Sequence, residues 1–221
     1  MNGADAPGVT TAPQAPRVSA ARLVVTLGGG GALAGALIVI AFLLTLPAIE
    51  AHRAERLNAA IAEVLRGPAR YDTLYVVGGA LRRDPPPGAD PTTLEKVYLG
   101  HAADGKPVGY AVVAQEPGFA DVVRVIFGYD PATKKLLGMK VIESKETPGL
   151  GDLIEKSKKF VSQFAGRATP LKGVKVGAGK GDPSEVDFIT GATISSRTVV
   201  RIINNALARL GPALKDGAEA P

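Results

Sequence analysis

The feature that most constrains this chain is a stretch near its start, residues 23–49, in which 27 consecutive positions carry no charged side chain. A helix rises about 1.5 Å per residue, so the stretch is about 40 Å long as a helix, whereas the hydrocarbon layer of a bilayer is about 30 Å thick. A cleaved signal peptide is the rival interpretation, but its apolar region is typically shorter. We therefore predict a retained transmembrane helix over residues 23–49, in contact with membrane lipid.

Small residues in this stretch bear on its packing, and charges beside it bear on its orientation. Gly31 and Gly35 have the spacing that lets two membrane helices approach closely, although Gly and Ala are also simply frequent in membrane helices.

Two arginines precede the stretch within the first 22 residues, and four follow it up to Arg70. This count favours a cytoplasmic carboxyl side, but a large following domain can be translocated regardless of charge. The flanking charges therefore leave the orientation open.

Composition divides the rest of the chain into four further segments. The first 22 residues are rich in Ala, Pro, Gly and Thr, which is typical of disorder. An apolar stripe of Leu57, Ile61, Val64 and Leu65 predicts an amphipathic helix that is either a stalk or the first helix of the folded domain. The predicted segments are a disordered tail over 1–22, the juxtamembrane helix over 50–70, a folded domain over 71–211 and a polar tail over 212–221.

Strands come in pairs in the folded domain. The predicted strands cover residues 71–77, 96–99, 108–115, 122–129, 136–142 and 171–176. Two hairpin turns are indicated, one at Asp104-Gly105 and one over residues 130–133. Helices are predicted after the hairpins, one with Asp152 as its N-cap and one over 195–210. Hairpins followed by segregated helices predict an α+β fold built on an antiparallel sheet.

The composition excludes several kinds of chemistry. The chain has no Cys, which removes thiolate nucleophiles and Cys-ligated metal clusters. Its two His, His52 and His101, lie far apart in sequence, so we expect no His-based metal site or catalytic triad. Any redox chemistry must therefore come from a bound organic cofactor. The net charge of +5 is modest, and the lysines near Lys158 indicate a solvated helix face rather than nucleic-acid binding.

Four hydroxyl side chains crowd the start of the last predicted helix, within Asp187-Phe188-Ile189-Thr190-Gly191-Ala192-Thr193-Ile194-Ser195-Ser196. A helix N-terminus has unpaired N–H groups and favours an anion such as phosphate. Gly191 and Ala192 would let the backbone approach such a ligand. Ser and Thr are also the usual N-cap residues, and on spacing alone an ordinary cap is the better interpretation.

A second stretch, Glu146-Thr147-Pro148-Gly149-Leu150-Gly151, contains one Pro and two Gly. This composition predicts a rigid, close-packed turn. The turn is either a structural loop or a place where the backbone approaches a ligand.

Together these two stretches resemble the FMN-binding domain family. Asp187, two further residues, then Thr190-Gly191-Ala192-Thr193 is similar to the flavinylation motif of that family, and the stretch from Glu146 to Gly151 is similar to its second hallmark. With the N-terminal anchor, the resemblance extends over about residues 20–210 to the G subunits of Rnf-type electron transport complexes. The C subunits of sodium-translocating NADH:quinone reductases are similar but usually longer.

The resemblance implies a function and a site. It implies FMN attached covalently to Thr193 by a phosphoester bond, placed there by a flavin transferase that takes FMN from FAD and recognises the sequence around Asp187. It implies an electron-carrying subunit, not a complete enzyme, in an inner-membrane complex that couples ferredoxin–NAD electron transfer to ion movement, with the domain on the periplasmic side. The implied cofactor-binding residues are Thr193, Thr190, Gly191, Ala192, Glu146, Thr147, Pro148, Gly149 and Leu150.

The resemblance has one departure and leaves alternatives. Ser144 stands where Rnf relatives often have His, which bears on tuning of the flavin rather than on its attachment. The alternatives are the C subunit of a quinone reductase, a free-standing extracytoplasmic flavoprotein and, in a different class, a non-redox anchored scaffold in which Thr193 is only a helix cap. No catalytic residue, metal site or nucleic-acid partner is expected.

Overall fold

The computed structural model describes residues 19–217, and the chain divides after His52 into two units. The first unit contains most of helix α1 (Ala20–Val64), whose apolar side chains in this unit are not buried. Among the described residues, α1 is the one helix long and apolar enough to cross a membrane. A disordered tail was expected over residues 1–22, and its first 18 residues lie outside the described part of the chain. From Ala20 onwards the chain is helical rather than disordered.

The second unit is built on a six-stranded sheet in which all neighbouring strands are antiparallel. Its strands are β1 (Arg70–Val77), β2 (Ala80–Arg82), β3 (Lys96–His101), β4 (Pro107–Pro117), β5 (Val122–Asp130) and β6 (Lys135–Glu143), in the order β2-β1-β3-β4-β5-β6. Both predicted hairpins are present, and the α+β fold with an antiparallel sheet is confirmed. The sequence analysis missed β2, which pairs with β1 across Gly78 and Gly79, two glycines with positive φ that make the tight turn.

Helices cover both faces of the sheet because apolar side chains alternate along the central strands. One face packs against the long helix α4 (Thr193–Asp216) and the short helices α2 (Leu153–Lys156) and α3 (Lys158–Ser162). The other face packs against Ala60, Ile61 and Val64 at the end of α1. Gly128 permits this contact, because a Cβ there would overlap the carbonyl oxygen of Val64. The amphipathic segment expected over 50–70 is therefore, at its end, part of the folded unit rather than a separate stalk.

Two sequence predictions about helices are wrong. The helix expected after Asp152 is broken at Ser157, which has extended backbone and whose hydroxyl accepts the Phe160 N–H, so it ends α2 and caps α3. Asp152 makes no side-chain cap bond. The tail expected over 212–221 is helical up to Asp216, because Ala213 and Leu214 are buried in the core.

A short parallel pair leads into the last helix. It consists of β7 (Lys172–Val174) and β8 (Glu185–Asp187). The side-chain amide of Gln163 accepts the Asp187 N–H at 2.8 Å and donates to the Asp187 carbonyl at 3.3 Å. These two bonds fix the point at which the chain leaves β8 and turns towards α4.

Candidate functional site

Glu146 joins two loops to the start of α4. Its carboxylate is only 5 % exposed and accepts the N–H groups of Phe119 and Ala120 at Oε1, over 2.8 and 3.1 Å. Its other oxygen, Oε2, accepts the hydroxyl of Ser195 at 2.7 Å. A carboxylate with donors at both oxygens is well stabilised in a buried place. Glu146 thus holds together the loop before β5, the turn over 146–151 and the first turn of α4.

Two glycines make room for this carboxylate. A Cβ on Gly151 would lie 2.6 Å from Glu146 Oε2 and 3.0 Å from the Ser195 hydroxyl. A Cβ on Gly118 would overlap Oε1. Gly149 serves a different purpose, since its φ of 78° is in the left-handed region and a Cβ there would meet nothing within 4 Å. The two glycines of the predicted turn are therefore required for different physical reasons.

Asp152 closes the turn from its far end. Its Oδ1 accepts the Gly149 N–H at 2.8 Å, and its Oδ2 accepts the Lys156 ammonium at 2.6 Å. The bond from Lys156 is the largest cause that lowers the pKa of Asp152 below its ordinary value. Asp152 therefore stands at the N-cap position of α2, as the sequence predicts, but its carboxylate bonds to Gly149 and Lys156 and so stabilises the turn instead of capping the helix.

The four hydroxyls of the stretch 187–196 divide into two pairs. Ser195 donates to Glu146, while Ser196 donates to the Ala192 carbonyl and accepts the Ile189 N–H. Both serines are buried, and both hydroxyls are hydrogen-bonded within the protein. Within residues 19–217, Thr190 and Thr193 make no side-chain hydrogen bond. The serines were expected as possible caps of α4, but the N-cap is Ala192 and no side chain caps the helix. The structure thus leaves two threonine hydroxyls available, with Thr193 half-buried as the first residue of α4 and Thr190 exposed.

The backbone beside Thr193 offers hydrogen-bond donors. The first hydrogen bond into the helix is from the Ser196 N–H to the Ala192 carbonyl. The N–H groups of Thr193, Ile194 and Ser195 have no partner among the described residues, as expected for the first turn of an uncapped helix. Three open donors and the positive end of a 24-residue helix favour an anion at this place. The donor set therefore fits a phosphate group.

Apolar side chains stand exposed around the same place. Phe119 is 67 % exposed, Leu150 is 52 % exposed and Ile194 is 51 % exposed. They come from the loop before β5, the turn over 146–151 and the first turn of α4, and a Cβ on Gly191 would lie 3.7 Å from Leu150. Large exposed apolar side chains grouped on loops mark a surface that another molecule covers. A planar aromatic ligand with a phosphate tail has the right chemistry for this surface and the donors beside it.

The structure brings together most, but not all, of the residues that the sequence singles out. The stretch from Thr190 to Thr193 forms the turn into α4. It lies beside the exposed segment from Thr147 to Leu150, as shown by the approach of Gly191 to Leu150 and by the Ser195–Glu146 bond. Glu146 belongs to the site differently from expectation, because its carboxylate faces inward and both of its oxygens are occupied by protein donors. Asp187 ends β8 on the approach to this turn, with its backbone held by Gln163.

Sequence reasoning missed Phe119, Gln163 and the role of Ser195. Phe119 follows Pro117-Gly118, and an aromatic residue in such a loop is a signal that could have been noticed. The Glu146–Ser195 bond joins residues 49 positions apart and has no local pattern.

Comparisons with known proteins find a family match over this part of the chain. Residues 118–208 match the FMN-binding domain family, a segment that begins at Gly118 and includes Glu146 and Thr193. The G subunit of the ion-translocating oxidoreductase complex of Methanosarcina acetivorans is 29 % identical over 186 residues, which cover 84 % of this chain and 92 % of that protein. The G subunit of the corresponding complex of Shewanella baltica is 38 % identical over 113 residues, about half of each chain.

Solved structures show the same fold. The crystal structure of Shewanella oneidensis NqrC matches 76 % of this chain and 100 % of that chain, with a TM-score of 0.63 and 18 % identity. The C subunit of a Na⁺-translocating NADH-quinone reductase from Parabacteroides distasonis matches over 66 % of this chain and 78 % of that chain, with a TM-score of 0.53 and 22 % identity. At these identities the likeness is one of fold.

Proposed function

We propose that the protein is the FMN-carrying subunit of a membrane-bound, Rnf-type ion-translocating oxidoreductase complex, because residues 118–208 match the FMN-binding domain family and its relatives are subunits of such complexes. The FMN is attached by a phosphoester bond to Thr193. The observation that carries the proposal is the state of Thr193, a half-buried residue at the open N-terminus of α4 and inside the matched segment. Its hydroxyl has no partner among the described residues.

The chain's own residues fit the cofactor in two ways. The open N–H groups of Thr193, Ile194 and Ser195 would hold the phosphate and offset its charge. The exposed side chains of Phe119 and Leu150 would pack against the flavin ring, beside the exposed backbone of Thr147, Pro148 and Gly149. FMN, when bound, supplies the electron transfer, whereas the protein binds it, orients it and limits its contact with water.

Attachment requires help from a second protein. In the proposed step the Thr193 oxygen bonds to the FMN phosphorus of FAD, the bond between the two phosphates breaks, AMP leaves, and the hydroxyl proton passes to a base. A threonine hydroxyl is a poor nucleophile without such a base. Glu146 does not serve, because protein donors occupy both of its oxygens. A flavin transferase that recognises the exposed turn and Asp187 would provide the base.

Covalent attachment is tested by co-expression with a flavin transferase, complete denaturation and inspection of the gel band for flavin fluorescence. We expect fluorescence for the native chain and for Thr190→Ala, which removes the other available hydroxyl of the turn, and none for Thr193→Ala. Fluorescence that is lost on denaturation, or that persists in Thr193→Ala, would refute attachment at Thr193. Absence of any flavin, before and after denaturation, would support the non-redox scaffold.

Complex membership and orientation need their own experiments. We propose that the domain lies on the extracytoplasmic side of the cytoplasmic membrane, where a covalent bond prevents loss of the cofactor. Protease added to intact spheroplasts should then cut the folded domain. Purification of the native complex should yield the other subunits of an Rnf-type assembly. Recovery of the subunits of a quinone reductase would instead favour a quinone-reductase component. Recovery of no partner would favour a free-standing flavoprotein.

A further inference from the structure

A basic cleft lies on the sheet face that the end of α1 covers, which is the face opposite α4. Its volume is about 660 Å³, within the range of small-molecule sites. The apolar part of its lining includes Leu57, Leu94 and Ile142. The cationic residues of the lining are Arg53, Arg56, Lys96 and Arg124.

The charge balance of the cleft favours an anion. Two carboxylates, Glu95 and Glu143, line it beside the four cations. Glu95 is held by a two-pronged pair with Arg209, over 2.6 Å at each oxygen. Glu143 lies 3.8 Å from Arg124, a loose and exposed pair that contributes little. The cleft therefore keeps a net excess of positive charge, much of it on guanidinium groups, which suit phosphate oxygens.

A buried tyrosine points its hydroxyl into this cleft. Tyr98 is only 8 % exposed and lines the cleft, and its hydroxyl has no hydrogen-bond partner within residues 19–217. No fully buried side-chain oxygen or nitrogen in this part of the chain lacks a partner, so the Tyr98 hydroxyl must reach the open space of the cleft. Burial raises the pKa of Tyr98, which keeps the hydroxyl protonated and able to donate. A hydroxyl that opens into a cleft lined by cations, with no partner among the described residues, is placed to donate to an anionic ligand.

The chain itself limits where this cleft can be. Arg53 follows the last residue of the uncharged stretch, Ile49, by four positions. Four residues span at most about 14 Å even when fully extended, and the polar headgroup layer begins directly outside the hydrocarbon core. With residues 23–49 across the bilayer, as the sequence predicts, Arg53 would be within reach of lipid headgroups on whichever side of the membrane the domain lies.

We propose that this cleft binds the phosphate of an anionic glycerophospholipid, with the guanidinium groups of Arg53 and Arg124 and the hydroxyl of Tyr98 as its ligands. The apolar residues Leu57 and Ile142 face the glycerol and the first carbons of the acyl chains. Such a site would fix the domain against the membrane surface. It is independent of the flavin, since the cleft and Thr193 lie on opposite faces of the sheet.

The test is native mass spectrometry of the full-length chain in a nonionic detergent, titrated with phosphatidylglycerol or with phosphatidylcholine. We expect tighter binding of phosphatidylglycerol to the native chain. Tyr98→Phe, which removes one hydroxyl, should weaken it by about tenfold, as for loss of a hydrogen bond to a charged group. The double variant R53Q/R124Q should weaken it further. A Thr193→Ala chain should bind like the native chain, which separates this site from the proposed function.

Matched controls make the result decisive. Tyr110→Phe removes the hydroxyl of a buried tyrosine on the other sheet face. K158Q/K159Q removes two positive charges that lie outside the lining of the cleft. Neither variant should change binding. Equal affinity for the two lipids, or equal losses in cleft and control variants, would overturn the proposal. Binding of inorganic phosphate or glycerol 3-phosphate that depends on Tyr98, without binding of phosphatidylglycerol, would show a site for a soluble anion and overturn the lipid assignment.

Discussion

The hydroxyl of Ser195 donates to Oε2 of Glu146 over 2.7 Å, and this buried bond places Thr193, two residues earlier, beside the turn over 146–151. The same carboxylate holds the backbone of Phe119 and Ala120 through its other oxygen. One side chain thus links the threonine proposed to carry the cofactor with two of the loops that would contact it. In the proposed site Glu146 is a positioning residue, whereas the resemblance implies that it contacts FMN directly.

Loss of the Glu146 carboxylate should destabilise the domain. Glu146→Ala leaves two N–H groups and one hydroxyl without their acceptor, so we expect a loss of about 3 kcal/mol in the free energy of unfolding. Glu146→Gln keeps one carbonyl oxygen for the N–H groups and should lose about 1 kcal/mol. Urea unfolding of the flavin-free domain measures both values. Equal stability of native and Ala chains would show that Glu146 does not hold the loops.

The two glycines of the turn should respond differently to alanine. Gly151→Ala places a methyl group against Glu146 and Ser195, so we expect a loss of several kcal/mol and poor flavin attachment. Gly149→Ala meets no atom and incurs only the backbone strain of a positive φ, about 1 kcal/mol. Thermal unfolding and in-gel fluorescence of the two variants compare these effects. The reverse order of the two losses would contradict the geometry described for the turn.

Phe119 should matter to the flavin but not to the fold. Its side chain is 67 % exposed, so Phe119→Ala should change the unfolding free energy by less than about 0.5 kcal/mol. If its ring packs against the flavin, the variant should show brighter flavin fluorescence, because an aromatic neighbour that quenches it is gone. Phe188→Ala, at a buried phenylalanine of the preceding segment, should instead lower stability. Flavin fluorescence of unchanged intensity in Phe119→Ala would show that the Phe119 ring does not pack against the flavin.

Acid should loosen the turn through Asp152. Since the pKa of Asp152 is lowered in the folded chain, chiefly by Lys156, its contribution to stability is present above the ordinary value of 3.8 and is lost as pH falls through the folded pKa. Melting temperatures measured between pH 6 and pH 2 should therefore fall less steeply in Asp152→Asn than in the native chain. The fall in melting temperature for Lys156→Met should be intermediate between those of the native chain and Asp152→Asn. Parallel curves of melting temperature against pH for all three chains would show that the Asp152 carboxylate makes no pH-dependent contribution to stability.

The antiparallel sheet could be predicted from sequence because its evidence is local. Turn residues such as Asp104-Gly105 lie next to the strands that they join, and alternation marks the buried face. The apolar stretch over 23–49 is local as well. The prediction of a polar tail failed since Ala213 and Leu214 look unremarkable in sequence, and only the core that surrounds them shows that they are buried.

The site could be predicted only in part. Resemblance to a motif singled out Thr193 and the turn over 146–151. It could not distinguish residues that would contact FMN from residues, such as Glu146, that hold the loops in place. Ser195 and Ser196 were expected as caps because free N–H groups usually attract serine oxygens; in the folded chain Glu146 and the Ala192 carbonyl are nearby acceptors for their hydroxyls. The Tyr98 cleft was missed entirely, since it draws its lining from α1, from the loop before β3 and from four strands.

The most direct test of the account is peptide mapping by mass spectrometry of the full-length chain, purified from membranes that contain a flavin transferase. We predict that the peptide containing Thr193 carries an added mass of FMN less one water, with fragmentation that places it on Thr193 and not on Thr190. An unmodified Thr193 peptide in chain that is yellow after purification, or the added mass on any other residue, would contradict the account.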